Sequence, residues 1–198
     1  YDVQSIPETP GKFNPSHIGI QDFEATISVK ALRSDSLNAT IRRLAFTEKS
    51  GLELKKMGVR LIADNNHLTI NEFTVQFPNT TIGLDNMEIR FDSLQHLPLM
   101  TSDVDYKGEI KASLFLPDFS PIIPQVKGLS NPIRLQTSFR GQGKNIDLLD
   151  LSLSDNMNLN LQGSASMSDW DAGRNMYLQA QLTDFSINHS GLKYYLNN

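Results

Sequence analysis

A chain of 198 residues is long enough to bury a substantial core, as one large domain or two small ones. Its net charge of -4, with 18 Lys and Arg distributed evenly, lacks the basic stripe of a nucleic-acid reader. The absence of cysteine excludes disulfides and thiolate metal sites.

Residues 1–15 read as an N-terminal tail, and 16–198 as a single elongated β domain of two similar stacked halves, 16–100 and 101–198. The chain shows no initiator Met, no charged leader and no apolar run of about 18 residues. It is therefore expected to be a segment of a longer protein that carries its anchor elsewhere. From residue 17 onward apolar residues alternate with Thr, Ser, Asn, Gln and Arg, the pattern of a sheet with one wet face. Strands are expected near 17–32, 36–47, 51–64, 67–77, 80–92, 103–116, 131–141, 145–154, 157–167 and 175–188. The breaks "RSDS", "TEKSG", "ADNN", "FPNT", "RGQGKN", "SDN" and "SDWDAGRN" carry turn chemistry, and such tight connections favour an antiparallel meander.

Three segments depart from strand. "LQHLPLM", 94–100, is an apolar connector. "PDFSPIIPQVKG", 117–128, places Phe119, Ile122, Ile123 and Val126 at helical spacing, with Asp118 or Ser120 as cap and Pro121 at the first helical position. Pro124 limits it to one or two turns, whose apolar residues are expected to plug part of the apolar face. In "HSGLKYYLNN" Ser190 is a candidate cap, with Leu192, Tyr195 and Leu196 on one face.

The alternation slips by one residue at seven places: Ile20 to Phe23, Ile41 to Leu44, Leu54 to Met57, Ile70 to Phe73, Leu84 to Met87, Leu148 to Leu151, and Leu182 to Phe185. A β-bulge would insert one residue and keep the apolar set on its original face. If the bulges align, the sheet creases into an apolar-lined, U-shaped trough. Arg42–Arg43, Lys55–Lys56, Asn71–Glu72 and Asp85–Asn86 should then form one polar seam across four adjacent strands. "HLTINEFTVQFPNTTIGL" from His67 and "NIDLLDLSLSDNMNLNL" from Asn145 repeat the same order of apolar pair, slip, apolar pair and turn. The alternative architecture is a closed β-sandwich with edge bulges.

The stretch "SLNATIRRLAFTEKSGLELKKMGVRLIADNNHLTINEFTVQFPNTTIGLDNMEIRF", 36–91, resembles the TamB-like branch of the AsmA superfamily, where "L.E.SG..L..L" precedes a strand, a turn and "L.I..F.V..P.T.I". "IKASLFLPDFSPIIPQVKGLSNPIRLQTSFRGQGKNIDLLDLSLS", 110–154, is similar to the family's strand, short "D...F.P.." helix, strand with "G.G" and apolar strand pair. The likeness spans roughly residues 16–192. It implies a periplasmic β-taco with a hydrophobic interior, the parent protein anchored in the inner membrane of a Gram-negative bacterium. It also implies phospholipid transport between inner and outer membranes, and support of outer-membrane assembly with a barrel protein met through regions beyond this chain. It carries no catalytic motif.

Other chemistry in the chain is sparse. Asp103/Asp105, Asp147/Asp150 and Asp169/Asp171 adjoin turns and read as solvated residues, although acid/base catalysis uses such pairs across clefts. "DWDAGRN" lacks the third oxygen position and distal Glu of a calcium loop. His17, His67, His96 and His189 have no ligand spacing, and "GQGKN" is too short for a phosphate loop. Asn38, Asn79 and Asn188 stand in sequons that arise freely in a Ser/Thr/Asn-rich chain. No enzyme activity, cofactor, metal or nucleic-acid partner is expected. The expected groove lining is Ile27, Val29, Leu44, Phe46, Leu52, Leu54, Val59, Leu61, Phe73, Val75, Leu151 and Leu153, taking phospholipid acyl chains. Phe46, Phe73 and Phe77 serve equally as closed-core residues. The alternative function is an interaction module that binds glycan or protein through loops such as "SDWDAGRN" and "FPNTT".

Overall fold

The computed structural model describes residues 18–33, 35–92, 100, 102–155, 157–169 and 176–196. The tail 1–15, most of the connector at 94–100, His17, His96 and most of the "SDWDAGRN" loop, with Trp170 and Asp171, lie outside the described residues.

Ten antiparallel strands form one sheet in strict chain order: β1 (Ile20–Leu32), β2 (Leu37–Glu48), β3 (Glu53–Ala63), β4 (His67–Gln76), β5 (Thr81–Arg90), β6 (Asp105–Leu114), β7 (Ile133–Gln142), β8 (Asn145–Ser154), β9 (Leu159–Ser168) and β10 (Tyr177–Ile187). Each expected strand is present. The sheet is curved and does not close, so the sandwich alternative is not the architecture that forms. The turns use the expected chemistry. Gly143, at φ 55°, opens the two-residue hairpin between β7 and β8, where Gln142 pairs with Asn145. Gly51 in "TEKSG" has φ 99°.

All seven slips are bulges. In β4, Glu72 and Phe73 together oppose Val59; in β5, Asn86 and Met87 oppose Gly108; in β8, Leu149 and Asp150 oppose Ser164. Four bulges place a non-glycine residue in the left-handed region: Asp22, Glu72, Asn86 and Asp150, with φ between 48° and 55°. A β-carbon makes that region costly, and Asp and Asn tolerate it better than most residues. Glu72 and Asp150 occupy matching places in the repeat noted from His67 and Asn145.

The bulges of β2, β4, β5, β8 and β10 fall at mid-strand and line up across the sheet. Asn71–Glu72 and Asp85–Asn86 lie side by side, because Ile70 pairs with Met87 on one side of them and Phe73 with Leu84 on the other. Gly108 of β6 faces the β5 bulge, and Thr137 of β7 and Ser164–Gly163 of β9 flank the β8 bulge; because Gly108 pairs with Phe139 and Thr137 with Ile110, the line steps by two residues between β6 and β7. A β-carbon on Gly108 would stand 3.3 Å from Met87 Cα in the β5 bulge, besides meeting the Phe139 ring of β7 at 2.8 Å, and one on Gly163 would collide with the Gln181 carbonyl oxygen of β10. Glycine thus allows close approach where the neighbouring strand bulges.

The expected seam needs one correction. Arg42–Arg43, Asn71–Glu72 and Asp85–Asn86 lie on it, but Lys55–Lys56 does not. That dipeptide is a genuine bulge opposite Ala45, displaced toward the lower end of β3, and Gly58 holds the seam position opposite Arg42–Arg43. Lys55–Lys56, opposite Ala45, lies instead one strand away from a second irregularity, where Asp22–Phe23 of β1 opposes Phe46.

The segment after β6 forms two 3-10 turns, Leu116–Phe119 and Pro124–Val126, and not one helix capped at Asp118 or Ser120. Pro124 opens the second turn, because its missing N–H is harmless only at a helix start. Asp118 accepts from Asn79 instead, N–H at 2.8 Å and side-chain amide at 3.0 Å, tying the segment to the β4–β5 turn. Phe119 packs edge-on against Phe77, with ring centroids 5.0 Å apart. Of the expected plug residues Phe119, Ile122 and Val126, Ile122 is exposed, as is Ile123, whereas Phe119 and Val126 are half-buried. The helix α1 (His189–Leu196) is capped by Asn188, whose Oδ1 accepts the Gly191 N–H at 2.7 Å, and not by Ser190. Its inward side is Gly191, Tyr194 and Tyr195, whereas Leu192 and Leu196 are exposed.

Candidate functional site

Residues paired directly across antiparallel strands point to the same side of a sheet. Strict alternation in β6 puts Tyr106, Gly108, Ile110, Ala112 and Leu114 on one face across the seam, and β7 does the same for Ile133 through Gly141. The pairings Ile89–Tyr106 and Phe139–Leu148 carry the upper half of that face to β5 and β8, and Leu84–Ile110 and Leu135–Leu153 carry the lower half. The apolar pairs flanking each bulge therefore share one face, which extends from Ile27 in β1 to Leu182 and Phe185 in β10.

Of the expected lining residues, all but Leu52 lie at positions on this face. Leu52 lies in the turn before β3, where its carbonyl accepts the Glu48 N–H. Leu54 and Val59 are buried; Leu44, Phe46, Leu61, Phe73, Val75, Leu151 and Leu153 are half-buried; Ile27 and Val29 are exposed. The face also includes Ile41, Ile70, Ile82, Met87, Ile110 and Leu161, which the same alternation in the sequence would have selected. A compact cluster fills its upper part: Leu68, Ile89, Phe91, Val104, Tyr106 and Phe139 are buried, Val104 completely. Leu84 and Ile110, from below the seam, pack against that cluster. Apart from the buried Leu54, the lower part keeps its leucines and valines half open.

Polar atoms on the face are satisfied within the sheet. The Thr137 hydroxyl donates to the Leu149 carbonyl at 2.6 Å, caring for a bulge carbonyl, and the Tyr106 hydroxyl donates to the Asn145 carbonyl at 2.9 Å. Glu48, at the lower end of β2, brings a charged side chain to an inward position. It is buried and accepts the backbone N–H groups of Gly19 and Ser50 at 3.2 and 2.7 Å.

The outer face carries the charge. Lys107 meets Glu88 at 3.0 Å, Lys111 meets Asp85 at 3.0 Å, Arg140 meets Asp147 at 3.4 Å and Arg43 meets Glu24 at 2.6 Å. A depression of about 480 Å³ near the upper end is lined by Glu88, Lys107, Arg140 and Asp147 together with Tyr106 and Ile146. With Arg90 and Asp105 it carries three charges of each sign, which leaves little to hold a charged ligand. Another outer depression, bordered by Arg60, Asn71, Glu72, Asp85 and Asn86, follows the seam.

Asp155 organises the lower end. Its Oδ1 accepts the N–H groups of Met157, Asn158 and Leu159 at 2.9, 2.7 and 2.9 Å, and its Oδ2 accepts the Tyr195 hydroxyl at 2.9 Å. Burial opposes ionisation, but these donors outweigh it and hold the carboxyl well below the ordinary carboxylate range. Burial and the Asp155 charge push the Tyr195 phenol above its ordinary value. Asp147 and Asp150 do not converge: Asp147 serves Arg140 and Ser166, and Asp150 is exposed in its bulge. Asp103 accepts the Asp92 N–H at 3.4 Å. Among the described residues no His, Asp and Glu cluster could hold a metal ion.

Comparison with protein-family models, with curated proteins and with solved structures finds no match to this chain.

Proposed function

We propose that the apolar face binds phospholipid acyl chains and that the chain is a non-enzymatic segment of a lipid conduit in a Gram-negative envelope. The observation that supports it is the continuity of the face: apolar side chains occupy it in all ten strands, half-open in the lower part of the inner strands and exposed on β1 and β10, with internal partners for Thr137 and Tyr106. Acyl chains leaving water for such a lining gain about 0.8 kcal/mol per CH₂, while the headgroup stays hydrated outside. Ten strands spaced about 4.8 Å apart extend the face over roughly 43 Å. The resemblance to TamB-like proteins adds the periplasmic setting, the membrane-anchored parent, transport between the two membranes and support of outer-membrane assembly. A module binding through its loops would close its apolar side chains upon themselves, which the half-open lower lining does not do.

Charging the lining tests the reading. Val75→Glu and Phe73→Glu aim a carboxylate into the groove, whereas Thr74→Glu and Gln76→Glu aim one outward on the same strand. Titration with a phospholipid bearing a pyrene-labelled acyl chain should show binding lost in the first pair and kept in the second. Equal binding by all four folded variants would overturn the proposal.

A further inference from the structure

The lower lining is half-open along the row Val75, Ile82, Ala112 and Leu135, but its lowest row is covered. There Thr80 is completely buried, and Ile133, the partner of Leu114, is buried. Over β4 to β6 the cover is the strap 115–131, which contains both 3-10 turns. Phe119 rests on Phe77, two residues beyond the inward Val75, and Pro121 lies 4.0 Å from where a β-carbon on Gly51 would stand.

The strap is anchored at both ends. The Thr80 hydroxyl accepts the Phe115 N–H at 2.8 Å, and the Tyr194 hydroxyl accepts the Asn131 N–H at 2.8 Å. Between these anchors Asp118 accepts two bonds from Asn79 in the exposed β4–β5 turn. From Ser120 to Ser130 the described backbone hydrogen bonds run within the strap, such as Ile123 to Phe119 at 2.8 Å and Leu129 to Val126 at 3.0 Å. Lifting the middle of the strap therefore breaks no ladder bond of the sheet. Pro117, Pro121 and Pro124 restrict its backbone, so that it moves as a stiff piece.

We infer that the strap is a lid on the lower lip of the groove, and that an entering acyl chain lifts it by displacing Phe119 from Phe77. The inference rests on the acyl-chain reading of the face. Closed, Phe119 covers Phe77 as part of an acyl chain would. Open, the row of Phe77, Leu114 and Ile133 joins the lining and widens it by two residues of strand, about 7 Å. The exchange is close to balanced, because apolar surface that Phe119 uncovers is covered again by the chain, and the bonds given up are those of Asp118 with Asn79. Ile122 and Ile123, 39% and 48% exposed on the strap, give the lifted lid an apolar side to lay against that chain.

The chain has no cysteine, which allows the lid to be locked and followed in the full 198-residue protein. Asn79→Cys with Asp118→Cys, oxidised, pins the strap at its tether; reduction frees it. Phospholipid with a pyrene-labelled acyl chain should bind the oxidised form at least about tenfold more weakly than the reduced form. A second measurement needs no lipid. Spin labels at Ile123→Cys on the strap and Gln136→Cys on the outer face of β7 report the lid position by pulsed electron paramagnetic resonance. Asp118→Ala should add a longer distance to that pair and leave the pair Lys56→Cys and Gln136→Cys, both on the sheet, unchanged. Equal lipid binding by the oxidised and reduced forms, or a strap distance that Asp118→Ala does not alter, would overturn the inference. A strap that moves in a protein that binds no lipid would overturn the acyl-chain reading instead.

Discussion

Glu72→Val puts a β-branched side chain at the bulge position of β4, where φ is 55°. The left-handed region costs an L-residue roughly 1–2 kcal/mol relative to glycine, and a β-branched side chain is an outlier there. Straightening the strand offers no escape: with the extra residue retained, Leu68 and Ile70 keep their inward positions, but Phe73 and Val75 swing outward and Thr74 and Gln76 swing in. Phe73 and Val75 are half-buried, so each would forfeit about half of the roughly 1.5–3 kcal/mol that full burial of such a side chain is worth. Turning two polar side chains onto an apolar face adds about 1 kcal/mol or more each. The sum is about 4 kcal/mol, more than the strain, so the bulge persists in the variant and the strain is carried. Glu72→Gly, in contrast, relieves a β-carbon at φ 55°, and is expected to be neutral or to stabilise by up to about 1 kcal/mol. Urea unfolding followed by circular dichroism measures both, and Glu72→Val should lie at least about 1–2 kcal/mol below Glu72→Gly. Equal stability of the two variants would refute the claim that the bulge persists to maintain the face.

Three further outcomes follow from the same geometry. Gly163→Ala puts a β-carbon against the Gln181 carbonyl and within 3.0 Å of Leu182 Cα, so it should loosen the β9–β10 pair, cost about 2 kcal/mol or more, and accelerate amide exchange in β10. Asp155→Ala strands three N–H groups and the Tyr195 hydroxyl, and should lower stability by about 3 kcal/mol at pH 7 in urea titrations. Because folding depresses the Asp155 pKa, its contribution is complete above the unfolded-state value near 4 and declines as pH falls below it. The gap between wild type and Asp155→Ala should therefore narrow by about 1 kcal/mol at pH 3, and a gap that widens there would contradict the assignment.

The sheet was legible because strand alternation, Asx and Gly turns and short connections all pointed the same way, from Ile20 to Ile187. The bulges were legible too, since a parity slip in sequence leaves a physical mark: Ile70 and Phe73 cannot share a face without one. Alignment was harder. A slip shows that a strand bulges but not where its neighbour crosses it, and Lys55–Lys56 lies three residues from the line that Gly58 marks. The glycines at 58, 108 and 163, each inside an alternating stretch, were the available signal. Short helical pieces depended on local competition. Pro124 restarted a 3-10 turn, and Asn188 capped α1 ahead of Ser190 because its side chain reaches the third N–H of the helix. The role of Asp155 was hidden, because an Asp in a turn looks solvated until Tyr195, 40 residues away, is known to reach it.

Photolabelling with a phospholipid carrying a diazirine in its acyl chain tests the central claim most directly. The protein is irradiated with the lipid and the adducts are located by mass spectrometry. The account predicts saturable labelling at alternate positions of the lower lining, Phe73, Val75, Leu151 and Leu153, with Thr74 and Ser152 unlabelled. Labelling confined to the turns, or equal on adjacent residues of both faces, would contradict it.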